Sequence, residues 1–87
     1  MELKLIKRGK SKAINMYPFI KGNEKISISI LDDGLLIQKG HMADTYNTHA
    51  YKNYVLIQKV MLDLIGNPIT INLKEIENGS FHVTKCR

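Results

Sequence analysis

The chain has one cysteine, no tryptophan, two prolines, six glycines and no uninterrupted apolar run longer than four residues. Each scarcity excludes something. A lone thiol, Cys86, forms no internal disulfide, so the chain is not a stapled secreted mini-domain. A membrane helix needs ~20 consecutive apolar residues, and nothing here approaches that length. Lys4, Lys7 and Arg8 interrupt the segment where a signal peptide would stand, so the expected setting is soluble and cytoplasmic, with no membrane contact. The glycines (Gly9, Gly22, Gly34, Gly40, Gly66 and Gly79) are scattered one per expected turn, so there is no glycine-rich phosphate loop. With only four tyrosines and two phenylalanines, the core must come mainly from Ile, Leu, Val and Met.

Catalytic and metal-binding signals are equally thin. His82 and Cys86 would lie ~13 Å apart on a strand, too far to share an ion, and His41 and His49 stand elsewhere. His82 is expected to be exposed and to face Glu75. Cys86 paired with a histidine is the one thiol nucleophile available, and a fraying segment is a poor platform for it. Asp32 and Asp33 are adjacent carboxylates that a turn explains. The expectation is a protein that is not an enzyme and needs no cofactor and no metal.

What the sequence does have is an asymmetric charge. Residues 1–25 carry Lys4, Lys7, Arg8, Lys10, Lys12, Lys21 and Lys25 against Glu2 and Glu24, which accounts for the whole formal excess of +5. Five of those cations fall in residues 4–12 with no carboxylate among them. Such a field favours a polyanion or an acidic protein surface as partner, and the bland alternative is a solvated edge.

Periodicity supplies the fold expectation. Residues 2–8 alternate as a strand, with Leu3 and Leu5 opposed to Lys4, Ile6 and Arg8. Residues 13–20 form a second strand, with Ile14, Met16 and Ile20 inward and an irregularity at Pro18. Residues 25–31 alternate most cleanly, with Ile26, Ile28 and Ile30 inward and Ser27 and Ser29 outward. Asp33–Gly34 reads as a type I′ turn returning into residues 35–39, which sets Ile30 opposite Ile37. From Met42 to Gly66 the spacing predicts a long helix starting near Thr48, since Tyr54, Ile57, Met61, Leu64 and Ile65 repeat every 3.6 residues and Gly66-Asn67-Pro68 is a stop. Residues 69–73 and 80–85 close the chain as a hairpin around Asn78–Gly79. A two-residue loop there puts Phe81 and Val83 on the wrong face, which requires a bulge of unknown position. The expected fold is one α+β domain over residues 1–87. It is an antiparallel sheet with four strands, one long helix and then two strands, the helix covering one face and the other left open.

Two candidate surfaces follow. On the open face, Lys4 and Arg8 would stand beside Tyr17 and Phe19, a single-strand nucleic-acid platform in which rings stack on bases while Lys4, Lys7, Arg8, Lys10 and Lys12 neutralise phosphates. At the start of the helix, Tyr46 and Tyr51 would anchor a protein partner, and Asn47, Asn53 and free backbone N–H groups can hold a phosphate. The leading expectation is a small nucleic-acid-binding regulatory or accessory protein. The alternative is a protein-binding inhibitor or adaptor of the phage or mobile-element type. A homodimer burying Tyr17 and Phe19 is the third reading.

Overall fold

The computed structural model describes residues 1–86. Its chain runs through nine strands and one short helix. They are β1 (Glu2–Lys4), β2 (Ile6–Arg8), β3 (Ser11–Asn15), β4 (Lys25–Leu31), β5 (Gly34–Lys39), β6 (Tyr46–His49), β7 (Tyr54–Ile57), α1 (Lys59–Leu64), β8 (Thr70–Glu77) and β9 (Ser80–Lys85). The strands form two antiparallel sheets, six strands in the order β1-β8-β9-β5-β4-β6 and three in the order β2-β3-β7. The expected α+β architecture is therefore corrected: the fold is mostly β, and no long helix covers a sheet face.

The second sheet does the job assigned to the helix. Ile14, Val55 and Ile57 from the small sheet share one core with Ile26, Ile28, Leu35, Ile37, Ile71, Leu73, Phe81 and Val83 from the large one. Each such side chain contributes roughly 1.5–3 kcal/mol by burial, so closing the sheet on itself outweighs leaving a face wet. The sheets meet at two corners. Leu5, buried between β1 and β2, lets a single segment pass from one sheet to the other, and its N–H donates to the Ile69 carbonyl at 2.9 Å. The chain turns the second corner between β6 and β7, in a tight turn closed by the Tyr51–Tyr54 bridge.

Why the helix fails is local. Residues 46–57 are rich in tyrosine and β-branched side chains, which favour strands. Val55 and Ile57 point inward while Tyr54 and Leu56 point outward, a period-two signal that lies under the apparent 3.6-residue repeat. Only Lys59–Leu64 is helical, with Met61 and Leu62 buried and Leu64 exposed. A helix over this stretch would leave β3 and β4 each with an unpaired edge, and β7 and β6 pair with them.

Other expectations hold or shift by small amounts. Ile14, Met16 and Ile20 are buried as expected, although residues 16–20 form a turn rather than a strand. Ser27 does not face an open surface: it is buried, and its hydroxyl has no hydrogen-bond partner among the described residues. The β8–β9 register shifts between Glu75 and Glu77, which places the required bulge at Ile76 and brings Leu73 opposite Val83. The β4–β5 hairpin pairs Leu31 with Gly34 and Ile28 with Ile37, so Asp32 and Asp33 are the loop residues rather than Asp33 and Gly34. That turn is not type I′, because none of the three has a positive φ. His82 stands across from Lys74, and its Nε2 lies 3.0 Å from Asp33 Oδ1 rather than facing Glu75.

Candidate nucleic-acid interface

Strand alternation scatters the basic cluster. Lys4 lies on β1, opposite Thr70 in the large sheet. Lys7 and Lys12 are a cross-strand pair on the core side of the small sheet, and the Lys12 amine donates to the Pro68 carbonyl at 2.8 Å. Lys12 thus holds the loop after α1 in place. Lys10 is exposed in the β2–β3 turn. Arg8 alone among them shares the outer face of the small sheet with Ala13, Tyr54 and Leu56. The expected platform of Lys4, Arg8, Tyr17 and Phe19 on one face does not form. Phe19 is half-buried with its ring 5.1 Å from that of Phe81, sealing the core. Tyr17 is exposed in the turn after β3.

The structure instead builds a cleft of about 520 Å³ on that outer face. Its lining is Arg8, Ala13, Thr48, His49, Tyr51, Lys52, Tyr54 and Leu56, with no carboxylate among them. The tight turn between β6 and β7 makes it. Tyr51 and Tyr54 exchange both backbone hydrogen bonds at 2.9 Å across the two-residue turn Lys52–Asn53. Directly opposed residues of an antiparallel ribbon project their side chains to the same side, and both tyrosines line the cleft. The Arg8 guanidinium lies 6.0 Å from the Tyr54 ring centroid, and the Lys52 amine 5.6 Å from that of Tyr51. Ala13 and Leu56, paired across β3 and β7, floor the cleft, and the small Ala13 side chain leaves it recessed.

The wall is fixed by polar contacts. His49 packs edge-on against His41 with ring centroids 5.0 Å apart, and the His41 Nε2–H donates to the Thr48 carbonyl at 2.8 Å. The Gln58 amide donates to the Tyr46 hydroxyl at 2.8 Å, so Tyr46 ties β6 to the end of β7 and lies outside the cleft lining. Among the described residues no three of His, Cys, Asp or Glu are grouped to hold a metal ion. No helix among them is long and apolar enough to cross a membrane.

Lys52 carries the most telling backbone feature. It sits at φ +56 as the first central residue of a tight hairpin turn, a position that glycine occupies without strain. The other non-glycine residues at positive φ among the described residues are Asp44 and Asn67, types that tolerate it. The Lys52 N–H donates to Asn23 Oδ1 at 2.9 Å, which helps to hold this strained conformation. Replacing Lys52 with glycine should therefore raise stability by roughly 0.5–1 kcal/mol in a denaturant titration.

The cleft thus joins two residues that the sequence placed in separate sites, Arg8 and Tyr51. Sequence reasoning missed Lys52, His49, Ala13 and Leu56, because the Lys-Asn turn lacks the glycine that marks most tight hairpins. No protein-family model matches the chain, and no curated protein or solved structure resembles it significantly.

Proposed function

We propose that this is a non-enzymatic, cytoplasmic protein that binds single-stranded nucleic acid in the Arg8–Tyr51–Lys52–Tyr54 cleft, in a regulatory or accessory role. The observation that carries the reading is the lining itself. Two tyrosine rings, each attended by a cation, border an apolar floor with no carboxylate. Rings offer stacking to any base and the cations neutralise phosphates, so a strand is held with little base preference. A duplex hides its base faces and cannot use the rings. The small sheet offers no recognition helix, which again favours binding without sequence readout.

The test is fluorescence anisotropy of the full chain with labelled single-stranded and double-stranded DNA and RNA across a salt series. Single strands should bind more tightly than duplex, and the affinity should fall by roughly tenfold or more between ~50 and ~200 mM salt. No binding at low salt overturns the reading.

A second reading, a protein-binding inhibitor or adaptor, rests on a different surface. Val60 and Leu64, one turn apart on α1, are 61% and 62% exposed, and Ile69 is 68% exposed. Binding through that apolar surface would respond weakly to salt and would survive changes in the cleft.

A further inference from the structure

We infer that the cleft is the first of two base-stacking stations on one single-strand track, and that Tyr17 with Lys21 is the second. The inference rests on the proposed binding of single strands at the cleft. All three cation–ring pairs among the described residues are Arg8–Tyr54, Lys52–Tyr51 and Lys21–Tyr17, the last with the amine 6.0 Å from the ring centroid. They are joined by a chain of asparagines. Asn15 stands opposite Tyr54 in the β3–β7 ladder. Its Oδ1 accepts from the Asn53 side-chain amide at 2.6 Å and from the Tyr17 N–H at 3.1 Å. One oxygen thus fixes the Tyr17 backbone relative to the turn that carries the cleft rings.

A second set of bonds ties the same two loops. Asn23 Oδ1 accepts from the Lys52 N–H at 2.9 Å, and the Glu24 carbonyl accepts from the Ala50 N–H at 2.9 Å. The segment carrying Tyr17 and Lys21 and the segment carrying Tyr51 and Lys52 therefore form one rim. The Glu24 carboxylate beside this rim is already committed: one oxygen accepts from the Lys21 N–H at 2.8 Å and the other lies 3.9 Å from the Lys39 amine. The rim presents positive charge and rings, complementary to a strand of phosphates and bases.

Tyr17 has no structural duty that explains its ring. It is 62% exposed and lies outside the core. Chain geometry sets the Tyr17 Cα within about 12 Å of the Tyr54 Cα, one ladder step plus two residues, a span that a single strand crosses in a few nucleotides. The occupant is thus an unpaired strand longer than the cleft alone can hold. Isolated nucleotides would use the cleft and leave Tyr17 bare.

The experiment titrates the full chain with an oligothymidylate dinucleotide and octanucleotide, comparing the parent with Tyr17→Ala, Tyr17→Phe and Tyr51→Ala by calorimetry at low salt. The parent should bind the octanucleotide much more tightly than the dinucleotide. Tyr17→Ala should lose roughly tenfold on the octanucleotide and nothing on the dinucleotide, and Tyr17→Phe should keep full affinity. Octanucleotide affinity unchanged in Tyr17→Ala, or equal losses on both lengths, overturns the second station while leaving the cleft intact. Tyr51→Ala binding both lengths as the parent does overturns the cleft, and with it the track that starts there. A parent that binds neither oligonucleotide overturns both.

Discussion

Gly34→Ala should lower the melting temperature by roughly 10–20 °C, followed by far-UV circular dichroism, for a cost of roughly 2–3 kcal/mol. The reason is a close approach of two backbones. A Cβ at Gly34 would lie 1.9 Å from the Val83 carbonyl oxygen and 3.2 Å from the Thr84 Cα. These are backbone atoms of β9, so relief requires the β5–β9 pairing to move, and Leu35, Ile37, Phe81 and Val83 all pack through that pairing. A Gly34→Asn variant separates this account from the turn account. If Gly34 served a positive φ, asparagine would be tolerated there; the structure expects it to be at least as damaging as alanine. Gly79 is the contrast. Its φ is +88 and an added Cβ would meet only the flexible Lys39 side chain at 3.7 Å, so Gly79→Asn should cost well under half as much.

The second large effect concerns binding. A variant combining Arg8→Gln with Tyr51→Ala should lose roughly a hundredfold in affinity for a single-stranded oligonucleotide at low salt, since one stacking contact and one phosphate contact disappear together. Its circular dichroism spectrum should match the parent, because Tyr51 is 67% exposed and Arg8 is also exposed. The matched control is Lys4→Gln with Lys7→Gln. That pair removes more positive charge, yet Lys4 lies in the large sheet and Lys7 on the opposite side of β2 from Arg8. The control should weaken binding only slightly, as a loss of long-range attraction. Equal losses in the two variants would mean that diffuse charge, and not the cleft, holds the strand.

The lysine-rich opening segment shows why the site was only half legible. A run of cations is visible in any sequence, but alternation sends its members to different faces, and only the register decides which. Arg8 reaches the cleft because Arg8 pairs with Ser11, and Ile6 and Ala13 then share its face. Lys12, one residue out of phase, turns to the Pro68 carbonyl. Tyr51 was visible as an exposed aromatic, yet its neighbour across the turn, Tyr54, read as a helix core position. The two become a pair of rings only once the hairpin is recognised.

What the amino-acid order by itself determined is the local pattern: the buried Ile26 and Ile28 (though not Ile30, which is exposed), the inward Ile14, Met16 and Ile20, the stop at Gly66, and the need for a bulge between residues 73 and 81. These rest on contacts between near neighbours, where side-chain spacing alone dictates which groups can share a face. Tertiary structure decided the rest. Residues 46–57 satisfy a helical and a strand period together, and the unpaired edges of β3 and β4, far away in sequence, select the strand. The same choice turns Tyr51, Lys52 and Tyr54 towards Arg8. The cleft exists only because two segments about forty residues apart fold onto one small sheet, a long-range pairing that no local propensity encodes.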